Sequence, residues 1–103
     1  MIFIKRSTSA DVPVELKIVG FMGGEYMNII GRVNVPEGCS LELVLKRASS
    51  SGSIPRSLYR FLARPPAFIS VLINGEPLPA MKRSSARIHG GDSVSFFTAT
   101  TGG

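Results

Sequence analysis

A chain of 103 residues that is 44% hydrophobic has room for one hydrophobic core, which buries about two thirds of the unfolded surface without metals or disulfides. Its single cysteine excludes an internal disulfide and fits a reducing compartment. Twelve Lys and Arg against seven Asp and Glu leave a net charge of +5, which favours acidic partners without saying of which class.

The first residues point to a soluble, cytoplasmic protein. Met1-Ile2-Phe3-Ile4 is followed at once by Lys5-Arg6, the reverse of the charge-then-apolar order of a signal peptide. No run approaches the ~20 apolar residues of a membrane-spanning helix, so no membrane partner is expected. Residues 1–11 form a leader in which Ile2 and Ile4 fit an extra edge strand and Ser7-Thr8-Ser9 a loop.

From Val12 the pattern sharpens. Val14, Leu16 and Ile18 alternate with Glu15 and Lys17, the period-two signature of a half-buried strand. Gly23-Gly24-Glu25 interrupts it, and extended character resumes from Asn28 to Val35. Two such runs around a Gly-Gly turn predict a β-hairpin. After Pro36-Glu37-Gly38-Cys39, Ser40 has the chemistry of a helix N-cap. Leu41, Val44, Leu45 and Ala48 then fall at i, i+3, i+4 and i+7, one stripe of a helix that stops in Ser49-Ser50-Ser51-Gly52. Glu42 and Lys46-Arg47 suit the two ends of its dipole.

A second, short helix is predicted from Pro55 to about Ala63, with Ser53 as its cap and Ile54, Leu58, Phe61 and Leu62 on its buried side. Arg56, Arg60 and Arg64 recur four apart on the other side, and Pro65-Pro66 forbids continuation. Phe68 to Ile73 is apolar on both faces and reads as a strand inside a sheet. Asn74-Gly75 marks a tight turn. Pro77 and Pro79 keep the next stretch at an edge or in a loop. Ala86 to His89 is expected to form a brief strand, and Gly90-Gly91-Asp92 turns the chain into a last strand carrying Val94 and Phe96. The order predicts an α+β fold of four to five strands packed around one main helix. Val71, Ile73, Val94 and Phe96 are its predicted late core, each worth ~1.5–3 kcal/mol when buried.

The end of the chain is different in kind. Ala99-Thr100-Thr101-Gly102-Gly103 has no large apolar side chain and is expected to project as a flexible tail. Two glycines without Cβ atoms can enter a channel too narrow for side chains. At average composition a terminal Gly-Gly arises by chance in only ~0.5% of chains. A carboxylate presented on such a stem becomes reactive once ATP has adenylated it, and the acyl-adenylate can then be attacked by a sulfur nucleophile.

Three segments, Val71-Leu72-Ile73-Asn74-Gly75-Glu76, Ile88-His89-Gly90-Gly91-Asp92-Ser93-Val94-Ser95-Phe96-Phe97 and Gly102-Gly103, resemble the ubiquitin-like sulfur carriers of the MoaD and ThiS kind. The likeness is close over residues 67–103 and looser over 12–48. It implies a single ubiquitin-like β-grasp domain over 1–103, with 1–11 as leader and 99–103 as flexible tail. It implies that the Gly103 carboxylate, on Gly102, is adenylated by an E1-like enzyme that uses ATP. The carrier itself would hold no cofactor and do no catalysis. With a sulfurtransferase the carboxylate would become a thiocarboxylate, to be passed to a sulfur-accepting catalytic subunit. The strands look most similar to the small subunit of molybdopterin synthase, of molybdenum cofactor biosynthesis, where this tail enters the large subunit. Phe97, set away from the core by alternation, and the tail residues Thr98, Ala99, Thr100 and Thr101 are then partner-contact candidates. Thiamine, cysteine and tRNA thiolation remain open as destinations, as does conjugation of Gly103 to a protein lysine.

Other features carry less. Cys39 reads as a packing residue and His89 as structural, with no zinc, phosphate-loop or catalytic-triad pattern around it. Arg56, Arg60 and Arg64, with Lys82, Arg83 and Arg87, have no aromatic or RNA-binding module beside them, so they read as a solvated face or a docking patch for an acidic protein, and no nucleic-acid partner is expected.

Overall fold

The structure is a computed structural model that describes residues 11–22, 24–65 and 68–98. The leader 1–10 and the predicted contact and reactive positions Ala99, Thr100, Thr101, Gly102 and Gly103 lie outside the described residues.

Strands β1 (Val12–Met22) and β2 (Glu25–Val35) form the predicted hairpin, in unbroken antiparallel register from Val12 opposite Val35 to Met22 opposite Glu25. The alternation works as read: Val14, Leu16, Ile18 and Met22 are buried, while Glu15, Lys17 and Phe21 face outward. Helix α1 (Leu41–Ser50) follows, capped by the Ser40 hydroxyl, which accepts from the Leu43 N–H at 3.2 Å. Its stripe of Leu41, Val44, Leu45 and Ala48 is buried as the spacing predicts.

Helix α2 (Arg56–Ala63) buries Leu58 and Leu62. Its N-cap is Pro55, with no side-chain cap, rather than Ser53. The Ser53 N–H instead donates to the Ala48 carbonyl at 2.8 Å, closing the end of α1, so the residue is committed to the helix before it. Strand β3 (Ile69–Ile73) begins one residue later than predicted, leaving Phe68 in a turn. A two-residue strand β4 (Glu76–Pro77), a 3-10 turn (Ala80–Lys82) and strand β5 (Ser93–Thr98) complete the chain.

The sheet order is β2-β1-β5-β3-β4. β5 runs parallel to β1 and antiparallel to β3, so β5 is the central strand, and β3, between β5 and β4, lies inside the sheet as predicted. Pro77 sits on the short edge strand, as its missing N–H requires. The brief strand expected at Ala86–His89 is a single bridge, Ile88 with Cys39. Ile88 is anchored there by a pair of backbone hydrogen bonds to the α1 approach, and the chain turns away on either side. Both helices cover one face of the sheet, and Val71, Val94 and Phe96 join the buried cluster between them. Ile73 packs against its margin, at the end of β3 beside the Asn74-Gly75 turn. A mixed sheet with a helix crossing between its two hairpin-like halves is the α+β β-grasp arrangement the sequence predicts.

Candidate functional site

The site is built around the end of β5. Because β5 parallels β1, it delivers the chain beside the far end of β1, at the same end of the sheet as the β1–β2 turn. Thr98, its last residue and the last one described, is held from both sides. It faces Ile69 of β3 in register, and its Oγ1 accepts the Phe21 N–H at 2.9 Å. Beside that hydrogen bond lies Gly20, whose φ is +125°. A Cβ added at Gly20 would lie 2.0 Å from Thr98 Oγ1 and 2.9 Å from Thr98 N, so only glycine lets the two strands meet this way. Thr98 is therefore a fixed point at the end of β5.

Gly20 was not singled out from sequence. Its signal is an isolated glycine inside an otherwise alternating strand, which marks close backbone approach, but nothing local says that residue 98 is what approaches.

Around this point lies an aromatic rim on the sheet face away from the helices. Phe97, between Val19 and Ser70 in register, is 37% exposed, as its predicted outward setting requires, and Phe21, Tyr26 and Phe68 are 61%, 57% and 58% exposed. Phe21 and Tyr26 pack edge-to-face with ring centroids 5.3 Å apart. Ile30 continues the apolar surface along β2. Exposed aromatics gathered in one place are the composition of an interface core. Sequence reasoning found Phe97 alone. The others occupy outward positions of the first hairpin and the turn before β3, and only the parallel β1–β5 pairing brings them to the tail.

The motif Asn74-Gly75 … Gly91-Asp92 lies at the opposite end of β5, about 20 Å from Thr98 at ~3.3 Å per residue, and is a clamp. Asn74, at φ 54°, donates through Nδ2 to Asp92 Oδ1 and accepts the Ser93 N–H on Oδ1, both at 2.9 Å. Asp92 Oδ2 accepts the His89 N–H at 2.7 Å. A Cβ at Gly90 would stand 2.9 Å from Val12 Cβ, and Gly91 has φ +85°. These residues set where β5 begins and hence which residue reaches its end.

His89 joins this clamp rather than a catalytic set. Its Nδ1 contacts Glu37 Oε2, and Glu37 Oε1 accepts the Gly90 N–H at 2.9 Å. The Gly90 N–H, and after it the His89 ring, hold the Glu37 carboxyl below its ordinary value. Cys39 is buried, and burial pushes its thiol up, so it packs as expected and is a poor nucleophile. Among the described residues no group of His, Cys, Asp or Glu is arranged to hold a metal ion. No helix among them is long and apolar enough to cross a membrane.

Comparison with known proteins bears on the site as a whole. The model of the ThiS family matches residues 23–103, a span that contains the clamp, β5 and the tail. Comparison with curated proteins finds no match. Among solved structures, the chain is similar to the Haloferax volcanii HVO 2177 protein, with a TM-score of 0.51 and 20% identity over 97% of this chain and 93% of that one. At that identity the likeness speaks for the fold alone.

Proposed function

The chain belongs to the ThiS family of ubiquitin-like sulfur carriers, and on that footing we propose that Gly103 is its reacting residue. The Gly103 carboxylate attacks the α-phosphorus of ATP in the site of an E1-like enzyme and pyrophosphate leaves. The persulfide of a sulfurtransferase then attacks the acyl carbon, the C–O bond to AMP breaks and AMP departs, and a thiol reductant cleaves the S–S bond of the resulting acyl disulfide, ending as a disulfide itself. The carbonyl carbon ends bonded to sulfur as a thiocarboxylate, which a catalytic subunit accepts. In this reading the chain binds no cofactor of its own, and ATP belongs to the activating enzyme.

The observation that carries the reading is the family match running through residue 103. The anchored end of β5 supports it: Thr98 is pinned by Phe21, and the five residues from Ala99 to Gly103 follow that fixed point. Fully extended they reach about 17 Å, enough to pass from the aromatic rim into a partner's interior. Phe97, Phe21 and Tyr26 form the surface that the partner grips while the tail is inserted.

For the destination we favour the small-subunit role in molybdopterin synthase, on the strength of the Val71–Glu76 and Ile88–Phe97 strand motifs. The test of Gly103 is an added residue. Extension by one residue is expected to abolish adenylation by the cognate enzyme and leave thermal stability unchanged, and retained adenylation would remove Gly103 from the chemistry. The test of destination is capture: the thiocarboxylate form is expected to bind and sulfurate a molybdopterin synthase large subunit. Transfer only to a thiamine, cysteine or tRNA thiolation enzyme would reassign it.

A further inference from the structure

From Leu43 to Gly75 the chain carries Lys46, Arg47, Arg56, Arg60 and Arg64 and no Asp or Glu. Arg47 pairs with Asp11 at 2.9 Å. Lys46, Arg56, Arg60 and Arg64 are exposed and make no ion pair among the described residues. Folding collects these four on the helical side of the molecule, away from the aromatic rim. Arg56, Arg60 and Arg64 follow one line along α2 and its C-cap, about 12 Å long at 1.5 Å per residue.

Each end of that line opens into a hollow. The first, about 260 Å³, lies in the seam between the helices and is lined by Lys46, Ser49, Ser50, Arg56, Tyr59 and Arg60. Three cations and three hydroxyls face it without a single carboxylate. The second, about 400 Å³, has Arg64 and Arg83 in its wall with Ser40, Ser84 and the carboxylate of Glu42. Arg83 Nε is buried without a hydrogen-bond partner.

We propose that this helical face binds the phosphate backbone of a single RNA strand, with one phosphate seated in the Lys46–Arg56–Arg60 hollow. The chemistry of the hollow selects phosphate. Guanidinium, ammonium and hydroxyl groups line it as donors, and a phosphate, with more acceptor oxygens than a carboxylate, can engage more of them at once. The arginine line selects a strand over a lone phosphate ester, because it continues beyond the hollow. A stacked strand carries a phosphate every ~3.4 Å, so 12 Å of cations spans about three. The line of charge is visible in the sequence, but the donor-lined hollow exists only once α1 and α2 pack together. The inference stands apart from the sulfur-carrier reading and does not depend on it.

The experiment is fluorescence anisotropy of a labelled, unstructured RNA of about twelve nucleotides, titrated with the full chain between about 50 and 200 mM salt. The expected dissociation constant lies in the ~10⁻⁴–10⁻⁶ M range of non-specific binding. The log–log salt slope should be about −2, from three phosphates at ~0.7 each. Arg56→Gln and Arg60→Gln should each weaken binding, and the pair together, which loses the seated phosphate, should bring the slope to about −1.4 or less steep and nearly abolish binding. Lys17→Gln, on the opposite sheet face, should change nothing. All these side chains are exposed, and a thermal melt of each variant checks that it is folded. Absence of RNA binding, or binding that survives the Arg56/Arg60 double variant, overturns the proposal. Inorganic phosphate bound by a protein that does not bind RNA would make the hollow a lone oxyanion site and overturn it as well. Polyglutamate of equal length binding as tightly as RNA would assign the face to an acidic protein and also overturn it.

Discussion

Asn74 shows how a single residue can look functional and act structurally. Its left-handed backbone and two side-chain hydrogen bonds tie the end of β3 to the start of β5. Asn74→Ala removes both bonds and leaves a side chain that tolerates positive φ less well. We expect a loss of about 1–2 kcal/mol in urea denaturation, with sulfur-carrier activity per folded molecule retained. At the other end of β5, Gly20→Ala forces a Cβ to within 2.0 Å of Thr98 Oγ1 and should lose about 2–4 kcal/mol. Thr98→Ala should lose about 1 kcal/mol by orphaning the Phe21 N–H. Combined, the two should be less harmful than their sum by at least ~1 kcal/mol, because the worst contact is then gone. Strict additivity would contradict the contact. The Asn-Gly and Gly-Asp turns could be read from sequence because turn chemistry is local. The Phe21–Thr98 hydrogen bond, with Gly20 beside it, joins residues 77 apart, and no local pattern carries it.

At the scale of elements, β5 is the strand on which the others depend, held by β1 and β3 at its sides and by the clamp at its start. Glu37 extends the clamp to the loop before α1 through Gly90 and His89. Its carboxyl is held below the ordinary value of 4.5, so the folded state favours the ionised form. The stability this contributes is present above that value and is lost as pH falls through the lower folded-state value. Glu37→Gln should therefore be less stable than wild type at neutral pH, and the difference should shrink in acid. Urea midpoints measured across that range give the comparison, and a constant difference would mean the carboxyl is not what holds the loops together. Strands β1 and β2 and the stripe of α1 were legible because their periods are written in consecutive residues. Ala86 to His89 has the composition of a strand yet forms a single bridge at Ile88, because the pairing that decides the matter comes from Cys39.

The whole molecule has two unlike faces, an aromatic sheet face at the root of the tail and a cationic helical face behind it. Phe97→Ala is expected to leave the fold intact, since the ring lies outside the core, and to lower kcat/KM for adenylation about tenfold or more, as for loss of an exposed aromatic anchor. Steady-state kinetics with the cognate adenylating enzyme decide this, and unchanged kinetics would move the docking surface elsewhere. Phe97 was predictable by alternation. Phe21, Tyr26 and Phe68 were not, because their common location is a product of sheet order.

The central claim is that Gly103, carried five residues beyond the anchored Thr98, becomes a thiocarboxylate. Intact-mass spectrometry of the protein taken from its own cells, with the activating enzyme present, tests it most directly. A fraction of molecules is expected in which one oxygen is replaced by one sulfur, located to the terminal residue by fragmentation and absent when Gly103 is deleted. A population that remains wholly unmodified under those conditions, or sulfur found on Cys39 instead, would contradict it.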